Sequence, residues 1–181
     1  MKKISLIAVA LIASSTSFAA TTPGGEIHFT GDLVSSACAV SAGSDGQIVD
    51  LGQHRVAKFK EVGDESGPVP FNIELVDCEA ALVTKGVSFA FQGPTVAANP
   101  KLLSVSASGG NDAVAKGVGI QIADHTSTAL GLDGTSFSKE KAILDGTNTF
   151  QFTARYVSYL ESKDMVAGKA NADATFIVNY N

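Results

Sequence analysis

GEIHFTGDLVSSAC, residues 25–38, alternates apolar and polar side chains with a period of two. Ile27, Phe29, Gly31 and Leu33 fall on one side; Glu26, His28, Thr30 and Asp32 fall on the other. That period marks a β-strand with one face buried. The stretch stands near the start of the chain, where most proteins fray. A good strand at a loose end needs a sheet to join.

Ahead of it the chain reads Met-Lys-Lys, then ISLIAVALIA, then SSTSFA. A basic start, a short apolar run and a small-residue site make a secretory signal peptide. Ser17 and Ala19 place the cut after Ala19, so residues 1–19 leave and 20–181 remain. The apolar run falls well short of the roughly 20 residues a membrane-spanning helix needs. Without Lys2 and Lys3 the chain has 11 basic residues against 18 acidic ones, a net charge of −7. Acidity without basic clusters argues against a nucleic-acid partner and favours solubility. Cys38 and Cys78 are the two cysteines. In an oxidising compartment an even pair reads as one disulfide. Closing a loop of about 40 residues stabilises by about 3–4 kcal/mol in the chain-entropy model. Metal ligation would need further donors nearby, and no histidine stands close to either cysteine.

Beyond the opening stretch the chain shows little helical periodicity. Strands are expected at 38–42, 47–52, 70–78, 86–93, 101–107, 118–124, 149–160 and 172–180. Turn signals separate them at 43–46, 66–70, 98–100, 108–112, 132–135 and 144–148. Many short strands at this spacing suggest a sandwich or barrel. Residues 56–66 have room for a helical turn, and the Ala/Gly/Ser-rich 105–117 reads as an exposed loop. In PFNIELVDC, Phe71, Ile73, Leu75 and Asp77 share a face; in TFQFTARYVSYL, Phe150, Phe152, Ala154, Tyr156 and Ser158 do; in ATFIVNY, Phe176, Val178 and Tyr180 do. Both ends of the mature chain are therefore strands.

A search for chemistry returns little. His28, His54 and His125 are far apart and none has metal-ligand spacing. There is no nucleophile elbow and no phosphate-cradling glycine loop. Asp124, His125 and Ser127 invite a hydrolase reading, but a polar turn after the strand at 118–124 explains them more simply. No Trp is present to floor a sugar cleft. No catalytic residue, cofactor, metal or small-molecule substrate is expected. Two readings of the terminal strands stay open: they pair with each other inside one sandwich, or the first joins another molecule's sheet. Gly31 on the apolar face favours the second, because glycine inside a strand often marks close approach of another backbone. Residues 20–25 form a flexible lead into an amphipathic strand, which suits β-augmentation.

ATTPGGEIHFTGDLVSSACAV (20–40), VDLGQHR (49–55), FNIELVDC (71–78), LDGTSFS (132–138), LDGTNTFQFTARY (144–156) and ANADATFIVNYN (170–181) resemble the structural pilins of chaperone–usher fimbriae, especially the major subunits of type 1 fimbriae. Cysteine spacing, the leader glycine and the penultimate Tyr180 carry the resemblance, with Gly168 at the family's glycine position fourteen from the C-terminus. Pro23 and the charged 157–167 depart from the pattern. The resemblance implies an all-β, incomplete immunoglobulin-like sandwich lacking its last strand, with an N-terminal donor-strand extension. Its parts would be a signal peptide (1–19), the extension (20–35) and the pilin domain (36–181). It implies that Ile27, Phe29, Gly31 and Leu33 enter a groove on the next copy. Gly168, Phe176, Val178, Tyr180 and Asn181 would form the groove edge and the contact for a periplasmic pilus chaperone. It also implies an outer-membrane usher, other fimbrial subunits as partners, passage through the periplasm, and a cell-surface fimbria that displays a separate adhesin. The alternatives are a minor adaptor or terminator of the same organelle, or a secreted β-sandwich binding module. With no other donor at hand, an isolated chain would be free to fold its own leader into its own groove.

Overall fold

The computed structural model describes residues 24–107 and 112–181. The signal peptide, its cleavage site and part of the turn at 108–112 lie outside the described residues. The described chain falls into two units, one ending at Leu33 and one spanning Val34–Asn181.

The larger unit is a two-sheet β-sandwich. One sheet has the order β1-β2-β7-β6-β5-β4, built from Ala39–Val40 (β1), Val69–Cys78 (β2), Gly146–Ser158 (β7), Val118–Ala123 (β6), Asn99–Ser104 (β5) and Thr95–Val96 (β4). The other pairs Val87–Gln92 (β3) with Thr175–Tyr180 (β8). All six strand pairs are antiparallel. Single-turn 3-10 helices occupy Val56–Lys58, Ala80–Leu82 and Ser162–Asp164.

The alternation seen in the sequence builds the core. Phe71 stands opposite Phe152, and Ile73 opposite Phe150, across the β2–β7 ladder. Phe89 from β3 meets Phe150 at 4.7 Å and Phe152 at 5.4 Å between ring centroids, which seals the sheets together. Strict alternation along β2 would put Cys78 on the face opposite Leu75. A bulge between Leu75 and Cys78, with Asp77 at φ 54°, shifts the register. Cys78 thereby turns into the core and bonds Cys38. Asp77, expected on the inner face, is exposed by the same bulge.

Several expectations change. Residues 24–33 are not a strand: they make no ladder bond, and Ile27, Phe29 and Leu33 are 79%, 90% and 104% exposed. Period-two patterning favours an extended chain, but a strand exists only where another strand takes its hydrogen bonds. Cys38 lies beside Tyr180, whose hydroxyl donates to the Cys38 carbonyl at 3.2 Å. Residues 47–52 form no strand either, although Val49 and Leu51 pack against the core. Asp50 Oδ1 instead accepts the Gly52 amide at 2.8 Å, and Gly52 adopts φ 72°. The turn expected at 98–100 falls at Ala97–Ala98, so β4 and β5 form a hairpin. The one expected at 144–148 is cut short by β7, which begins at Gly146. The described part of 105–117 is not simply a free loop: Ala115 is buried, and Val114 and Lys116 bridge to Lys169 and Val166.

Candidate functional site: the open edge of β8

β3 has partners on both sides. β8 pairs on one side, and residues 132–141 run along the other, with Gly134 N donating to Phe91 O, Ser138 N to Phe89 O and Lys141 N to Val87 O. β8 itself pairs with β3 alone among the described residues. Its far edge, Thr175 to Tyr180, has no strand beside it among the described residues. Edge strands of this kind are templates for another chain.

The side chains along that edge match the backbone. Phe176, Val178 and Tyr180 rest on the main core yet keep part of their surface exposed. Val49 and Leu51, from the segment after β1, have the same half-buried status on the same core. Tyr180 is held at one end by its bond to Cys38 O, and burial raises the pKa of its phenol despite the opposing effect of Ser36. Asn181 closes the end of β8: its amide donates to Gly86 O, and its carbonyl accepts from Lys85 and Gly86.

Where the chain leads into β8 there is a recess of about 590 Å³, lined by His54, Phe59, Tyr156, Met165, Gly168 and Asn171 among others. Tyr156 spans it, donating its hydroxyl to Ala170 O at 2.9 Å and meeting His54 edge-on at 5.6 Å. Burial, with Asp50 nearby, raises the Tyr156 pKa. Gly168 forms part of the wall because backbone passes directly beside it. A Cβ there would touch Ala113 O and lie 2.7 Å from Ala115 N. Lys169 locks that approach, its amide donating to Ala113 O and its carbonyl accepting from Ala115 N, each at 2.8 Å.

The body of the structure thus brings together Gly168, Phe176, Val178, Tyr180 and Asn181 around one strand. That His54, Phe59, Tyr156 and Met165 meet in one recess escaped the sequence reading. VDLGQHR and FQFTARY pointed at two of them as stretches, without showing that they meet. Asp124 proves to be a loop tie. Its Oδ1 accepts from the Thr126 and Thr128 amides and the Thr126 hydroxyl, and its Oδ2 accepts from the Lys139 amide. Burial works against its charge, but these bonds prevail and lower its pKa.

A two-sheet body with an open edge strand, preceded by an unpaired amphipathic leader, can be set beside known proteins. The family described as "Fimbrial protein" matches residues 27–181. The chain belongs to that family. It is 48% identical over 157 residues to the type-1 fimbrial protein A chain of Salmonella typhi, covering 87% of this chain and 83% of the relative. It is 43% identical over 181 residues to the type 1 fimbrial subunit of Klebsiella pneumoniae, covering 99% and 94%. Among solved structures, a chaperone–usher pilus subunit from a study of rod uncoiling superposes with a TM-score of 0.67 at 26% identity, over 90% of this chain and all of the other. The P pilus rod subunit superposes with 0.60 at 26% identity, over 81% of this chain and all of the other. The fold is therefore the incomplete immunoglobulin-like sandwich of the pilins. The protein is a structural fimbrial subunit and works in extracellular pili with other fimbrial subunits.

Proposed function

We propose that this pilin polymerises head to tail by donor-strand exchange, as a rod subunit. The leader of one copy adds as a strand to the free edge of β8 on the next. The supporting observation is a double deficit in one chain. The leader has exposed apolar side chains, and β8 is a core-facing strand with no partner on one side among the described residues. Ile27, Phe29 and Leu33 would fill the groove, each worth about 1.5–3 kcal/mol on full burial. Main-chain bonds would complete the ladder, and Gly31 would pass where the backbones approach most closely. A contact of this kind does not close on itself, so it yields a filament. Likeness to the P pilus rod subunit, at 26% identity and a TM-score of 0.60, supports the rod role.

Before assembly the same edge needs cover. A periplasmic chaperone would supply it, contacting β8 through Phe176, Val178, Tyr180 and Asn181, with Gly168 shaping the wall. An outer-membrane usher would then exchange that cover for the next leader. The domain boundaries at Ala19 and Ser35 belong to the same reading. The test is co-expression of residues 20–181 and of 35–181 with a cognate chaperone, followed by purification from periplasm. The longer chain is expected to give heat-resistant multimer ladders, the shorter one a 1:1 chaperone complex alone. A soluble, chaperone-free monomer of 35–181 would show a complete sandwich and end the proposal.

A further inference from the structure

Two exposed leucines stand on adjoining loops at the disulfide end of the body. Leu82 is 63% exposed and closes the 3-10 turn Ala80–Leu82. Leu144 is 77% exposed and precedes Asp145, whose Oδ1 accepts the Ala80 amide at 2.8 Å. Neither side chain serves the core, and apolar side chains placed together on a surface point to a docking face.

The place of this pair matters. The Cys78–Gly146 pairing lies beneath both loops, and Ala37 O accepts the Glu79 amide at 3.0 Å. The pair therefore stands near Ala37, at the start of the body. Four residues, 34–37, join Leu33 to Cys38. Four residues span at most about 14 Å. A copy whose leader is seated in a neighbour must hold this end against that neighbour.

Which end of the neighbour it meets follows from pairing. Every strand pair described in the body is antiparallel. An antiparallel leader carries its Leu33 end to the Thr175 end of β8, where the recess opens. There Val114 and Val166 are exposed, on the two segments that meet through the Lys116–Val166 bridge.

Building on the donor-strand reading, we infer that Leu82 and Leu144 of one copy dock on the Val114 and Val166 face of the next, a body-to-body contact that fixes the angle between successive copies. The leader sets connectivity; this contact sets shape. The occupant is a second copy because the tether delivers one there.

The test uses the full-length chain in cells assembling fimbriae. Leu82→Ser with Leu144→Ser is compared with the parent and with Val114→Ser plus Val166→Ser on the opposite face. All four side chains are exposed, so melting of the body is expected to hold within about 2 °C of the parent. Both double variants are expected to keep the heat-resistant ladder and to lose regular rods in negative-stain images, giving thin, irregular fibres. Parent-like rods from either variant would overturn the inference. So would loss of the ladder together with the rods at unchanged melting temperature, since the leucines would then act in strand insertion. An absent ladder in the parent is a different result: it removes donor exchange itself.

Discussion

The leader and β8 share a pattern and differ in fate. Ile27, Phe29 and Leu33 alternate as Phe176, Val178 and Tyr180 do, yet the first three are almost wholly exposed and the second three half-buried. β7 completes the series. It has β2 on one side and β6 on the other, and its Phe150 and Phe152 are 4% and 2% exposed. Alternation therefore specifies which face is to be buried. The number of partners decides how far that burial goes. One partner and a core leave β8 half covered; no partner leaves the leader bare.

The largest expected effect tests that contrast directly. Phe29→Asp should leave melting of the monomer unchanged, because the ring touches little in the free chain and exposed substitutions usually stay within about 0.5 kcal/mol. It should abolish the multimer ladder, because insertion would bury an unpaired carboxylate. Calorimetry alongside gel ladders separates the two. A drop in melting temperature would mean that the leader already belongs to its own body.

Two glycines sharpen the same contrast. Nothing lies within 4 Å of a Cβ built on Gly31. Gly31→Leu should thus spare both monomer stability and chaperone binding while slowing polymerisation, with an overpacking cost of about 1–3 kcal/mol that appears only on insertion. Equal loss of chaperone complex and polymer would show a role in folding. Gly168→Val should behave in the opposite way. Its Cβ meets backbone at Ala113 and Ala115, so the body should lose about 1–3 kcal/mol by urea unfolding before any partner is involved. An unchanged midpoint would remove the close approach as the reason for glycine there.

The strands that read well in the sequence are those whose burial is internal. β2, β3, β6 and β7 carry their alternation or apolar runs inside one sheet, and their positions were legible to within a few residues. The misreadings cluster where a partner decides. Residues 47–52 look like a strand and pack against the core, but nothing supplies a ladder. The leader reads as a strand, but no strand among the described residues pairs with it. β4 is two residues long and exists only because β5 pairs with it. The recess was illegible for another reason. His54, Phe59, Tyr156 and Met165 come from three separate segments, and no periodicity links them. The inward turn of Cys78 depends on a bulge, which alternation by itself would have denied.

Acid offers a smaller perturbation, confined to the body. The Asp124 pKa is lowered by its hydrogen bonds, and Asp133, whose carboxylate accepts the Thr135 and Ser136 amides, is lowered to about 2. Both groups bind protons more weakly in the fold than in the unfolded chain. Their contribution is fully present above the ordinary carboxylate value near 4 and is lost as pH falls from there toward 2. Melting temperature should therefore decline over that window, and Asp124→Asn should flatten the decline. A variant with the parent's pH profile would show that the loop 124–139 does not depend on this charge.

The smallest effect concerns the hydroxyl that joins the two edges. Tyr180→Phe keeps the ring on the core and removes one bond to Cys38 O. That carbonyl also accepts the Ser36 hydroxyl at 2.5 Å, so it is not orphaned, and the cost should sit at the low end of about 0.5–1.5 kcal/mol. In calorimetry the body should melt a few degrees lower at most. Its effect on polymerisation separates two roles for the bond. If it is a clasp that narrows the open side of β8, its loss should leave leader uptake unchanged or faster while stability falls slightly. If it is part of the seat that the incoming strand requires, uptake should slow along with the loss of stability. A stopped-flow comparison using a labelled peptide of residues 24–36 distinguishes these. The clasp is the outcome expected if β8 is both stable enough to fold and open enough to take a donor strand.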